Sequence, residues 1–146
     1  MSPPPELVVS RTIRAAPDRV FDAWTTADQI TRWWGGGGVT CPEAQVELAV
    51  GGAYRIANAM PDGTVTWISG VFEFIERPYR LRYTWDVEPA DPDAASSVVA
   101  VEFAPVDGGT LVTVNQTRIP SDDARLMFEA GWNGCLDGLR SMFNVS

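Results

Sequence analysis

The stretch from Ser121 to Asn144 constrains the fold most. At about 100° per residue, Phe128, Trp132, Cys135, Leu136, Leu139, Met142 and Phe143 gather in one stripe, while Glu129, Asn133, Asp137, Arg140 and Asn144 fall opposite. A long helix of this pattern needs an extended apolar surface to lie on. Ser121 is placed to cap it, and Asp122 and Asp123 suit the positive end of its dipole. Gly131, Gly134 and Gly138 form a second row along one flank. Each glycine costs a helix about 1 kcal/mol relative to alanine, so the row implies that another backbone comes close, or that room is wanted there.

The remainder reads as the surface this helix grips. Leu7 to Arg14 alternates as a strand, with Leu7, Val9, Arg11 and Ile13 on one face. Pro17 and Asp18 open a helix whose inner face is Val20, Phe21 and Trp24. An interruption at Thr25 to Asp28 leads to a shorter helix carrying Ile30, Trp33 and Trp34, which Gly35 to Gly38 ends. From Val39 the period changes to two. Strands are predicted at Cys41 to Val50, Ala53 to Met60, Thr64 to Glu76, Tyr79 to Val87, Ser97 to Ala104 and Thr110 to Ile119. Pro61-Asp62-Gly63 is a hairpin turn, Gly70 a bend, and the acidic Glu88 to Ser96 a mobile loop. The order predicts an α+β fold in which a curved antiparallel sheet of about seven strands wraps the C-terminal helix. One domain is expected over residues 1–146, with residues 1–6 flexible.

The alternation also sorts side chains. Phe72 and Phe74 oppose Glu73; Tyr79, Leu81, Tyr83, Trp85 and Val87 point inward, as do Val99, Val101, Phe103, Val112, Val114 and Gln116. Gln116 is the sharpest of these. A polar group buried unpaired costs about 1–3 kcal/mol, so Gln116 requires a protein partner or a ligand. Arg11 requires a carboxylate, with Glu47 and Glu76 as candidates, or serves as an anion handle.

Composition narrows the chemistry. The chain has 19 acidic and 11 basic residues, net −8, which argues against nucleic acid and anionic membrane as partners. Every basic residue is Arg; with no His and no Lys, the commonest general base, metal ligand and Schiff-base nucleophile are missing. No cofactor is expected. Cys41 and Cys135 read as separate buried thiols. Paired acids such as Asp122 and Asp123 read as solvated charge. The proline-rich start does not resemble a signal peptide, and no run approaches the ~18 apolar residues of a membrane span, so a cytoplasmic protein is expected.

Several motifs carry a family resemblance: Arg11-x-Ile13-x-Ala15, Val20-Phe21-x-Ala23-Trp24-Thr25, Trp33-Trp34, Gly51-Gly52-x-Tyr54-Arg55, Leu81-x-Tyr83-Thr84-Trp85 and Gly131-Trp132-x-x-x-Leu136-x-x-Leu139. In order and spacing the chain resembles the Bet v 1-like, or START-like (SRPBCC), superfamily. Within it, the chain is most similar to the group named after the C-terminal domain of the activator of Hsp90 ATPase. The resemblance implies a helix-grip fold with an apolar cavity between sheet and helix. It also implies diverse functions: lipid, hormone or polyketide binding, cyclisation, and chaperone assistance. The chain departs from the family pattern before the paired glycines: relatives often carry an acid and an arginine there, and this chain has Glu47 and Ala49, so loss of that ion pair is expected. It departs again at Phe128, where relatives often have histidine.

The reading that follows is non-catalytic binding of a small hydrophobic or aromatic molecule. Trp33, Trp34, Tyr54, Trp67, Phe72, Tyr83, Trp85, Val101, Gln116, Phe128, Trp132 and Leu136 are the candidate lining. The alternatives are a stress- or chaperone-associated interaction module, and a cyclase- or hydrolase-like enzyme using the same cavity. The expected partner is a small hydrophobic molecule or a chaperone, bound by a monomer or homodimer.

Overall fold

A computed structural model describes residues 5–36, 38–89 and 96–143. The predicted flexibility of the N-terminus and of the Glu88–Ser96 loop concerns residues mostly outside this set. The chain runs β1 (Leu7–Ile13), α1 (Pro17–Thr25), α2 (Ala27–Trp33), β2 (Ala44–Val46), β3 (Ala53–Ala59), β4 (Val65–Glu76), β5 (Arg80–Val87), β6 (Ser97–Val106), β7 (Gly109–Thr117) and α3 (Asp122–Phe143). The strands form one seven-stranded antiparallel sheet in the order β1-β7-β6-β5-β4-β3-β2. This is the helix-grip arrangement: two short helices follow the first strand, and the long helix packs on β1 and α2.

The elements form where the local chemistry directs them. Pro17 supplies a preset φ at the start of α1, and Thr26 in extended conformation separates α1 from α2. Ser121 Oγ accepts the Ala124 N–H at 3.1 Å, capping α3. Asp62 Oδ1 accepts the Thr64 N–H at 2.9 Å and closes the β3–β4 hairpin. The core lies between the concave face of the sheet and the α3 stripe; Trp132, Cys135, Leu136 and Leu139 are buried, and Phe128, Met142 and Phe143 are half-buried.

Several expectations are corrected. The Cys41–Val50 strand shrinks to Ala44–Val46, because local bonds from Ala49 N to Glu47 O and from Gly52 N to Ala49 O turn the chain away from β3. Phe74 points outward, at 40% exposure, although Phe72 is buried. The cause is an irregularity in the β4–β5 ladder: Phe72 pairs with Tyr83 and Phe74 with Arg82, so one extra β4 residue shifts the faces. Tyr79 sits in the turn before β5 and is exposed. Arg11 pairs with neither Glu47 nor Glu76. Its guanidinium donates to Asp137 Oδ1 at 3.1 Å and Asn133 Oδ1 at 2.8 Å, because β1 runs directly under α3.

Two of the helix glycines stand at close approaches. A Cβ on Gly138 would lie 2.3 Å from Trp33 O, and one on Gly134 would lie 3.3 Å from both Gly35 O and Gly36 Cα. The glycine row thus admits the end of α2 and the loop after it against α3. Gly35 and Gly36 have φ of 117° and 134°, a region that side chains strongly disfavour. Gly131 differs: a Cβ there meets nothing within 4 Å.

A candidate ligand cleft beside the C-terminal helix

Five tryptophans are buried, and they meet. Trp132 stacks on Trp24 at 5.8 Å and lies 5.4 Å from Trp34 and 5.2 Å from Trp85; Trp34 touches Trp33 at 5.5 Å and Trp85 at 6.0 Å. Most of their N–H groups have assigned acceptors. Trp24 donates to Tyr83 Oη at 3.2 Å, Trp33 to Ala23 O at 2.8 Å, Trp34 to Asn58 Oδ1 at 2.8 Å and Trp132 to Gln116 Oε1 at 2.8 Å. Gln116 Nε2 then donates to Ser97 Oγ at 2.9 Å. Gln116 is therefore satisfied by protein on both sides, at 0% exposure.

This indole layer divides the interior. On the side of α2, β3 and β4, Tyr54, Phe72 and Tyr83 pack edge to face with ring separations of 5.0–5.8 Å, and only about 20 Å³ remains open. That side is core. On the other side a cleft of about 290 Å³ opens between the first half of α3, the Gly35–Val39 loop and strands β3 to β5. Trp34, Trp85 and Trp132 form its aromatic wall; Phe128, Met127 and Gly131 contribute from the helix, and Met60, Ile68 and Val87 from the sheet.

The sequence-derived candidates thus separate into groups. Trp34, Trp85, Phe128 and Trp132 line the cleft together. Trp33, Tyr54, Phe72 and Tyr83 lie in the filled region behind it. Val101, Gln116 and Leu136 are core residues at or below 1% exposure. Trp67 lies away from the cleft, under the Arg55 guanidinium, whose carbon is 3.9 Å from the ring centroid. Ile68 and Phe72 are buried, so alternation along β4 turns Trp67 outward. Asn58 was missed, although it carried the same signal as Gln116: a polar residue in register with the inward Tyr54 and Ile56. Met127 was missed as a site position because it falls outside the apolar stripe of α3; Gly131 belongs to the glycine row at which room was expected.

The electrostatics of the cleft are simple. Among the described residues no Asp, Glu or Arg lines it. The one ionisable group among its described lining residues is Cys135, whose thiol burial pushes up to about 12, while its sulfur accepts the Gly35 N–H at 3.4 Å. Burial also raises Tyr54 and Tyr83 behind the wall. Such groups stay neutral near pH 7 and give no acid–base pair. Among the described residues no cluster of His, Cys, Asp and Glu could hold a metal ion, and no helix is long and apolar enough to cross a membrane.

Residues 14–144 match the family described as Activator of Hsp90 ATPase homolog 1-like protein. The chain belongs to this family. Solved structures of similar shape agree with the fold of this AHSA1-like chain. A protein from Chromobacterium violaceum superposes with a TM-score of 0.85 at 22% identity, covering 97% of this chain and 98% of that one. The AHSA1 protein from Silicibacter pomeroyi gives 0.82 at 22% identity, with coverage of 94% and 96%. The AHSA1-like protein from Aeromonas hydrophila gives 0.75 at 26% identity, with coverage of 94% and 90%. No curated protein matches the sequence significantly.

Proposed function

We propose that this AHSA1-like protein binds a small, neutral, aromatic or apolar molecule in the cleft beside α3, without transforming it. The observation that carries the reading is the cleft itself: about 290 Å³, walled by three indoles, with no charged side chain among the described lining residues. A cavity of about 150 Å³ already accommodates benzene, so this space suits a guest of about two fused rings or an equivalent chain. An enzyme acting here would need a titratable group near neutrality, and the Cys135 thiol, raised to about 12, does not supply one.

A panel of neutral bicyclic aromatics in a thermal-shift assay tests this. A binder at 100 times its dissociation constant adds about 2.7 kcal/mol of stability. Gly131→Phe should abolish that stabilisation and leave the fold intact, because a side chain there meets open space. Absence of stabilisation by every member of the panel would overturn the proposal.

A second reading, contact with a chaperone or another protein, draws on Leu126 and Met127, exposed at 57% and 70% in the first turns of α3. Leu126→Glu together with Met127→Glu should then abolish partner capture from the native cell; capture unaffected by the double change counts against it.

A further inference from the structure

We propose that the guest carries one neutral hydrogen-bond acceptor, a carbonyl or ether oxygen, which takes the Trp85 indole N–H; this rests on reading the cleft as a small-molecule site. Of the five buried indoles, those of Trp24, Trp33, Trp34 and Trp132 each donate to a protein oxygen, and Trp85 Nε1 is buried without an acceptor among the described residues. Trp85 is also one of the three indoles on the cleft wall. Native interiors rarely leave such a donor unpaired, and burying it unpaired is costly. The exception in this layer therefore falls on one of the three rings that line the cleft, while Trp34 and Trp132 beside it and Trp24 and Trp33 behind it are satisfied. An acceptor on the guest removes the penalty; a pure hydrocarbon leaves it in place.

The N–H is shielded from solvent, so an acceptor reaches it only after a neighbour moves. Trp85 has three aromatic ring neighbours, Trp34, Trp132 and Phe128. Trp34 is tethered by Asn58 and Trp132 by Gln116. Phe128 has no polar tether, is half-buried, lines the cleft and lies 6.0 Å from the Trp85 ring. Of the three, Phe128 is the one whose displacement breaks no hydrogen bond. The same position carries no charge, so the recognised acceptor is neutral and not a carboxylate.

The test compares naphthalene with 2-acetylnaphthalene by ¹⁵N–¹H spectroscopy of the indole N–H resonances, with Trp85→Phe assigning the Trp85 signal. Both should bind, the ketone about tenfold more tightly, corresponding to one recovered hydrogen bond. Only the ketone should move the Trp85 N–H signal downfield, and Trp85→Phe should erase the ketone's advantage while naphthalene still binds. Equal affinities with an unmoved Trp85 signal would overturn the acceptor and leave the cleft reading standing. If neither compound perturbs any cleft indole, the cleft reading falls, and the acceptor with it. If Trp85→Phe does not fold, through-space contacts from the Phe128 ring assign the Trp85 N–H among the six indole signals of the unaltered protein, and its response still decides between the ketone and the hydrocarbon.

Discussion

Trp132 on α3 donates its indole N–H to the side-chain oxygen of Gln116 on β7 at 2.8 Å, and both residues are buried. The chain continues from Gln116 Nε2 to Ser97 Oγ at 2.9 Å, and from Ser97 Oγ to Trp85 O at 3.0 Å. One neutral polar thread thus ties the helix to β7, β6 and β5 directly beneath the cleft. It fixes the indole wall without placing a charge there.

Breaking that thread at one end should be expensive. Gln116→Leu strands the Trp132 N–H in the core, and a loss of about 1–3 kcal/mol is expected from urea unfolding midpoints. Adding Trp132→Phe should cost less than its separate effect, since the stranded donor goes with it.

The helix glycines should respond in opposite directions. Gly138→Ala puts a methyl 2.3 Å from Trp33 O and should destabilise the protein despite alanine's better helix propensity. Gly131→Ala meets no atom within 4 Å, so it should stabilise by up to about 1 kcal/mol. Thermal unfolding of the two variants side by side checks the contrast.

Alkaline pH should weaken the fold. The Cys135 thiol rises from an ordinary 9.0 to about 12 in the folded protein, and burial raises Tyr54 and Tyr83 from 10.0. A group whose pKa is raised by folding contributes stability below its unfolded pKa, and that contribution disappears as pH climbs toward the folded value. Urea midpoints should therefore hold up to pH 9 and fall above it, and Cys135→Ala should reduce the fall first seen between 9 and 10.

The Arg11–Asp137 pair should matter less than its geometry suggests. Its side chains are 26% and 51% exposed, so solvent screens the attraction. Arg11→Met is expected to cost less than about 1 kcal/mol, with a difference that shrinks in salt. A cost equal to that of Gln116→Leu would show that the edge between β1 and α3 is stiffer than described.

The sequence disclosed the fold more readily than the site, for physical reasons. The α3 stripe and the period-two runs report burial directly, and burial is what the sheet and helix share. The bulge in β4 is invisible to alternation, since one unpaired residue reverses every face beyond it; that is why Phe74 was misplaced. Gln116 was identified as needing a partner, but which group would meet it depended on α3 lying over β7. The cleft was hardest to see. Its walls include Met127 and Gly131, positions that the apolar stripe leaves uncovered, and a stripe pattern records what is packed, not what is left empty.

One consequence concerns where the shape of the cleft is open to variation. Where Gly36 meets Gly134, backbone faces backbone, and a Cβ on Gly36 would sit 2.7 Å from the helix Cα. That boundary offers selection no side chain to alter. The cleft can instead be reshaped at Met60 and Val87 on the sheet side, and at Met127 and Ala130 earlier on the helix, where residues can be exchanged without prising the helix from its neighbour. The seam tolerates no added side chain, and the latitude for change lies where side chains already stand.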